Sequence, residues 1–231
     1  MEKRKFWFIG AHYDDIEIGC GGTAAKMICA GNECYATIVT KSGYKDENGK
    51  VIRENEVAHR EGLKGLKLLG FEENDISHLN FETGKLEHNL ELIHSLEAEI
   101  KKIQPDVVFT HWTHDVHQDH VATAKATLTV TRKTGSVLMY RPNWYRQDVP
   151  FLETLFVDVS NHYSTKKAAV NAHESEVKKF GSLFGETVDW AVVKTHAMEV
   201  LQQHSKDLKA LCYLTRALLE ESGLSGFEQG L

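Results

Sequence analysis

Proline is scarce in this chain of 231 residues, with three in all, so few positions forbid a continuous helix or a central strand. Cysteine is also sparse. Cys20, Cys29, Cys34 and Cys212 form no CxxC pair, which excludes a disulfide framework and a zinc ribbon and leaves buried free thiols. The chain shows no charged, apolar and small-residue leader pattern at its start, so a reducing cytoplasm is the expected setting. No long Lys/Arg run occurs and the formal charge is −6, which argues against a nucleic-acid or anionic-membrane partner, since both need a basic face. No apolar run approaches the roughly 20 residues that span a bilayer. The partner that remains is a small molecule.

What is present is alternation. Strand-like runs at about 5–10, 34–40, 76–81, 106–111 and 154–159 alternate with helical patterns at about 20–31, 53–70, 88–103, 119–132 and 163–181. That order predicts an α/β fold, Rossmann-like and three-layered, with a mostly parallel twisted sheet in a single domain over 1–231. Gly31-Asn32 and Gly70 stand where helix C-caps belong, and Pro105 follows Ile100-Lys101-Lys102-Ile103, so these boundaries have chemical causes. The polar segment 41–50 reads as a mobile loop or lid at the sheet rim. The last ten residues or so read as loosely ordered.

Chemistry concentrates where strands end. Phe6-Trp7-Phe8-Ile9-Gly10 runs directly into Ala11-His12-Tyr13-Asp14-Asp15, which places an imidazole and two carboxylates at one strand terminus. His12 and Asp15 are hard-to-borderline ligands that suit a divalent ion, and Asp14 is then spare as a base. A second cluster, His117-Gln118-Asp119-His120, follows the strand-like Val107-Val108-Phe109-Thr110 and can supply a third ligand. In open sheets of this kind, ligands bind outside the carboxyl ends of the strands.

Other motifs invite a functional reading and mostly decline it. Gly19-Cys20-Gly21-Gly22-Thr23-Ala24 satisfies a dinucleotide-binding string. It does not directly follow the first strand, however, and no acid ends the second strand, so close packing of the helix explains it better. His111 and His114 extend a histidine series but are expected as satisfied rim residues, because one zinc already has three ligands. His173 is expected to be a buried structural histidine.

His12-Tyr13-Asp14-Asp15 together with Asp115-Val116-His117-Gln118-Asp119-His120 resembles the zinc-dependent deacetylases of the LmbE-like, or PIG-L, family, whose members carry HPDD and HxDH. The resemblance extends through Gly19–Thr23, Arg53-Glu54-Asn55-Glu56, Leu69-Gly70, Lys167-Ala168-Ala169 and His173-Glu174-Ser175. It implies a metal-dependent hydrolase that removes an N-acetyl group from an N-acetylglucosamine-type sugar or conjugate. By matching positions, His12, Asp15 and His120 bind Zn²⁺, or Fe²⁺, Co²⁺ or Mn²⁺ in its place. Asp14 acts as general base, and a protonated His117 acts as acid or oxyanion stabiliser. Asp119 orients His117, with an N-cap of the following helix as its alternative role. Arg53 matches a substrate-contacting position, and its alternative is an ion pair with Glu54 or Glu56 on the helix surface. Arg141, in the aromatic-rich run 140–145, can face a pyranose ring. Relatives often assemble as trimers or hexamers, so a homo-oligomer is implied.

Two departures stand out. Tyr13 replaces the family's proline, removing a φ restraint and adding a phenol that can touch substrate or pack. Glu176 replaces a glutamine. Two other functions stay open at this stage: a metal-dependent hydratase of an unsaturated dicarboxylic acid, favoured by any extra cationic pocket, and a metalloprotein without catalysis.

Overall fold

The computed structural model describes residues 3–142 and 149–180, with isolated positions 191, 194, 195, 198, 214, 217 and 218. The chain divides into two compact units, Met1–Leu183 and Phe184–Leu231. The first carries the sheet and its flanking helices. The C-terminal tail expected to be loosely ordered lies outside the described residues.

The elements follow in the order β1 (Lys5–Gly10), α1 (Asp15–Gly19), α2 (Gly21–Cys29), β2 (Glu33–Thr40), β3 (Tyr44–Lys45), β4 (Val51–Arg53), α3 (Asn55–Leu69), β5 (Ile76–Phe81), α4 (Leu90–Ile103), β6 (Val107–His111), α5 (Gln118–Val130), β7 (Ser136–Tyr140), α6 (Tyr163–Asn171) and α7 (Glu174–Phe180). Five strands form a parallel sheet in the order β5-β2-β1-β6-β7. Among the described residues, no helix is long and apolar enough to cross a membrane.

β1 is central because both of its faces are apolar. Phe6 and Phe8 point into one core with Ile16, Ala24, Leu66 and Phe109, while Trp7 and Ile9 point into the other with Leu92, Leu96, Val108 and Ala126. That is the period-two alternation of a strand covered on both sides. Phe8 stacks on Phe109 with centroids 4.6 Å apart. The buried indole of Trp7 donates from Nε1 to Thr37 Oγ1 at 2.8 Å, so burial leaves its polar atom satisfied.

The chain moves outward from β1 to β2 and β5, then returns to the opposite edge of β1 with β6 and β7. The change of direction opens a crevice beyond the carboxyl ends of β1 and β6, the usual ligand position in such sheets. Gly10 closes β1 there. A Cβ on it would come within 3.0 Å of the His12 carbonyl and 3.3 Å of Asp15 Cβ, so glycine lets the next loop fold back over the strand end.

Four sequence expectations need correction. The run 154–159 is not a strand: Leu155 and Phe156 are exposed, so its alternation has no buried face to satisfy. The fifth strand is instead Ser136–Tyr140, a short edge strand paired with β6 and anchored by Tyr140, whose hydroxyl donates to the Ile9 carbonyl at 2.8 Å. The segment 41–50 is not wholly loop: it supplies β3 and the turn of a small antiparallel hairpin that β4 completes at Val51–Arg53, and the turn is tied by Asp46 accepting from Asn48 and Lys50 N–H groups. The single helix expected over 163–181 breaks at Ala172-His173 into α6 and α7, and the break buries the His173 side chain.

Candidate metal centre and catalytic site

The loop after β1 and the start of α5 converge. His12 Nδ1 lies 3.2 Å from His120 Nε2, and the Asp15 carboxylate approaches these atoms at 3.4 Å and 3.2 Å. Asp15 faces them through both oxygens, Oδ2 toward His12 and Oδ1 toward His120. Ligands at about 2.0–2.1 Å around a tetrahedral ion stand about 3.3 Å apart, so this triangle of side chains has the dimensions of one metal site. His12 and Asp15 were placed together by the sequence motif. His120 joins them across 108 residues of chain.

The other ring nitrogens are already directed elsewhere. His12 Nε2 meets Asp119 Oδ2 at 2.9 Å, and His120 Nδ1 faces Asp115 Oδ2 at 3.2 Å. Protons belong on those outward nitrogens, which leaves His12 Nδ1, His120 Nε2 and a carboxylate presenting lone pairs to one another. Only a cation or a captured proton relieves that arrangement. The same carboxylates raise both imidazoles above their ordinary value. For His12, to about 9, burial opposes the shift and the bonds from Asp119 and Asp15 outweigh it. For His120, to about 10, Asp15 and Asp115 outweigh burial. The donor set and its charge therefore fit a divalent metal.

His111 lies in this cluster, fully buried and not at a rim. Its ring stacks on His120 at 4.1 Å. Its Nε2 accepts the Ala11 N–H at 2.9 Å, which occupies the lone pair a metal would need. Burial is the first cause of its pKa falling to about 4. His114 is exposed and its Nδ1 contacts Thr113 Oγ1 at 3.1 Å.

Asp14 sits beside the triangle at φ 109, ψ −28, a conformation sparsely populated by residues other than glycine. Burial first, and then the neighbouring Asp15 charge, raise its carboxyl to about 7 against the pull of His173, Arg53 and His12. A carboxylate so poised can take up a proton near neutrality.

His117 is the N-cap of α5: its Nδ1 accepts the Asp119 N–H at 3.2 Å. Its proton therefore sits on Nε2. Burial and the neighbouring His12 and His120 hold its pKa below the ordinary value. Asp119 does not orient His117 through its carboxylate, nor does it cap α5. Its two oxygens accept from Gly84 N at 2.7 Å and Leu86 N at 3.1 Å while it holds His12 from behind.

The residues expected to touch substrate are placed differently. Tyr13 is 2% exposed and its hydroxyl lies between His59 Nδ1 at 2.6 Å and His78 Nδ1 at 2.7 Å. Its ring fills the space over Gly62, where a Cβ would lie 1.9 Å from Tyr13 Cδ1. Arg53 is 5% exposed and pairs with neither Glu54 nor Glu56. It donates to Glu61 at 3.0 Å and to His173 Nδ1 at 3.2 Å, and Glu176 lies 3.7 Å from its Nε. Arg141 lies 5.9 Å over the Phe151 ring, which meets Trp112 edge-on at 5.4 Å. Its aromatic neighbours Trp144 and Tyr145 lie outside the described residues.

Sequence reasoning missed a buried network behind the site. His173 Nε2 donates to Glu17 Oε1 at 3.0 Å, and Glu61 accepts from Ser175 N at 2.9 Å and Ser175 Oγ at 2.6 Å. Only the clustering of ionisable residues in His173-Glu174-Ser175-Glu176 hinted at it.

Comparison with known proteins gives a consistent result. A family model described as GlcNAc-PI de-N-acetylase matches residues 7–131, the stretch that contains every atom of the triangle. A second model, described as ImpA, N-terminal, type VI secretion system, matches residues 147–231, much of it outside the described residues. An Escherichia coli K12 protein named uncharacterized deacetylase YaiS is 34% identical over 175 residues, covering 72% of this chain and 89% of that one. Among solved structures, the conserved protein TT1542 of Thermus thermophilus superposes with a TM-score of 0.63 at 23% identity, covering 74% of this chain and 79% of its own. The N,N'-diacetylchitobiose deacetylase of Pyrococcus horikoshii gives 0.63 at 22% identity, covering 86% and 78%. At such identities the superpositions speak to fold.

Proposed function

Because the chain belongs to the PIG-L, or LmbE-like, family of GlcNAc-type deacetylases, we propose that it is a zinc-dependent hydrolase. It removes the acetyl group from an N-acetylglucosamine-type sugar or conjugate. The observation that carries this reading is the triangle of His12 Nδ1, Asp15 and His120 Nε2, with edges of 3.2–3.4 Å and the poised carboxyl of Asp14 beside it. Those three side chains would hold the ion, with Asp119 and Asp115 fixing the two imidazoles.

Bound there, zinc would supply Lewis acidity toward an amide carbonyl and make water easier to deprotonate. Asp14 receives a proton from the attacking water as the new carbon–oxygen bond forms. It returns that proton to the nitrogen as the carbon–nitrogen bond breaks, giving acetate and a free amine. His117, whose Nδ1 accepts the Asp119 N–H, serves through Nε2 as a hydrogen-bond donor to the developing oxyanion. A purely structural ion would need a fourth protein ligand and no base, and Asp14 separates this site from that case.

The test is acetate release from a panel of N-acetylated amino sugars and conjugates, with zinc-loaded and chelated protein run in parallel. Chelator-sensitive release is expected. Equal release by chelated protein, or none from a verified zinc-loaded sample on any N-acetylglucosamine conjugate, would overturn the reading.

A further inference from the structure

The loop that carries His12 and Asp15 also carries Tyr13, and a second set of donor atoms converges on its hydroxyl. His59, from α3, brings Nδ1 to 2.6 Å of that oxygen, and His78, from β5, brings Nδ1 to 2.7 Å. The three rings close on one another: the His59 and His78 centroids are 4.9 Å apart, and the Tyr13 centroid stands 5.7 Å and 5.6 Å from them. A phenol has one proton to give. It can donate to one of these nitrogens only, so the other ring must turn its own N–H inward. Two nitrogens and one oxygen, from three elements of the fold, thus meet around shared protons.

Protons held at such a point can be exchanged for an ion. Imidazole nitrogen with an anionic oxygen suits first-row transition ions, and at donor sets of this kind Cu²⁺ binds more tightly than Zn²⁺. The donors need only move apart from hydrogen-bond distance to the separation of about 3.3 Å between ligands of one tetrahedral ion. His59 is exposed and His78 half-buried, which gives both rings room to do so. His59 also borders a surface groove with Leu63, Lys64 and Lys67, an entry path for an ion. The two lysines there are already paired, Lys64 with Glu174 and Lys67 with Glu73. His78 is a neutral ring near pH 7, because burial and then His59 lower its pKa to about 4, so it has no charge to shed before ligating. Burial, and then Glu17, push the Tyr13 phenol up. It therefore keeps its proton until a cation stands at the oxygen and draws the proton off, as bound cations do to their ligands.

We propose that Tyr13, His59 and His78 form a second metal site, separate from the triangle of His12, Asp15 and His120, which takes a divalent transition ion and holds Cu²⁺ most tightly. The ligand atoms are Nδ1 of both histidines and the Tyr13 oxygen, and water fills the remaining positions. No electron moves. The phenol proton leaves to solvent, and the inward imidazole proton is exchanged for one on Nε2, so each ion bound releases one proton. An ion there ties the metal loop to α3 and β5 at Tyr13, the residue between ligand His12 and Asp14.

The experiment is titration of the full chain, zinc-loaded beforehand, with Cu²⁺. Zinc and copper per chain are measured after gel filtration, and visible absorption is recorded alongside. A phenolate bound to copper gives a charge-transfer band, which the triangle, having no tyrosine among its ligands, does not. The expected result is a second ion per chain arriving together with that band. His59→Ala and His78→Ala are each expected to weaken the second ion by at least the loss an outer partner causes, about 10–100-fold. Tyr13→Phe is expected to abolish the band. Zinc retained at the triangle shows that a variant is folded, and the exposed position of His59 on α3 makes its variant the safest of the three. A single ion per chain overturns the proposal. So does a second ion without the band, a band that survives Tyr13→Phe, or a second ion bound equally well by the His59→Ala protein. None of these readings depends on acetate release, so the proposal stands or falls apart from the deacetylase reading.

Discussion

The Asp119 carboxylate stands 2.9 Å from Nε2 of His12, and this pair leaves Nδ1 as the His12 nitrogen that would meet a metal. With Nε2 held, Nδ1 is the nitrogen that turns toward Asp15 and His120. Replacing Asp119 by Asn keeps the shape but loses the charge that fixes the tautomer. Zinc affinity is expected to fall about 10–100-fold, the usual effect of losing such an outer partner. Zinc competition with a chromophoric chelator measures it directly. Unchanged affinity would show that His12 does not use Nδ1.

Asp14 combines function with backbone strain. At φ 109 any L-residue with a Cβ is disfavoured, whereas glycine is not. Asp14→Ala and Asp14→Gly are both expected to abolish turnover with zinc content near normal. The glycine variant should be the more stable of the two by about 1 kcal/mol, within the range such positions store. Thermal denaturation read beside zinc content and acetate release tests both halves. Turnover surviving in either variant would remove Asp14 from its assigned role.

The two clusters were legible in sequence because each is local: a hydrophobic strand delivers His12 through Asp15, and one helix start delivers His117 through His120. Four of the five expected strands stood in place for the same reason, each a run of apolar residues bounded by turn chemistry. What could not be read was tertiary. Glu17 and His173 meet across 156 residues, and nothing in Ile16-Glu17-Ile18 announces an acid that will be fully buried. Arg53 looked like a helix-surface or substrate cation because its partners Glu61, Glu176 and His173 come from α3, α7 and the break after α6. Tyr140 anchors β7 through a carbonyl of β1, a contact no short edge strand advertises.

Glu61 links this network to acid stability. Burial alone would raise its carboxyl, but the two bonds from Ser175, and then Arg53, outweigh it and hold it below its ordinary value of 4.5. A depressed folded value means the stabilisation is present above that ordinary value and is lost as pH falls toward the lowered one. Glu61→Gln cannot titrate. Its thermal stability is expected to be lower than that of the unmodified protein at pH 7, with the difference shrinking as the solution is acidified below about 4.5. A difference that stays constant from pH 7 down to about pH 3 would show that the carboxylate form contributes nothing.

Tyr13 separates packing from substrate contact. Its ring fills the recess made by Gly62, and its hydroxyl bridges His59 and His78, on the side of the loop facing α3 and β5. Its backbone N–H donates to Ser42 Oγ at 2.8 Å, a bond proline could not make. The phenol thus ties down a loop that lacks the family's proline. Tyr13→Phe keeps the ring and strips one hydroxyl from two imidazoles. His78 is half-buried, and burial, with the neighbouring His59, lowers its pKa to about 4, so the imidazole that loses this contact is neutral. The cost expected is about 1–2 kcal/mol of stability, with kcat/KM on an N-acetylated sugar changed less than threefold. Denaturant unfolding and initial-rate kinetics on the same preparation decide the matter. A tenfold loss of kcat/KM at unchanged stability would instead place the Tyr13 hydroxyl in contact with substrate.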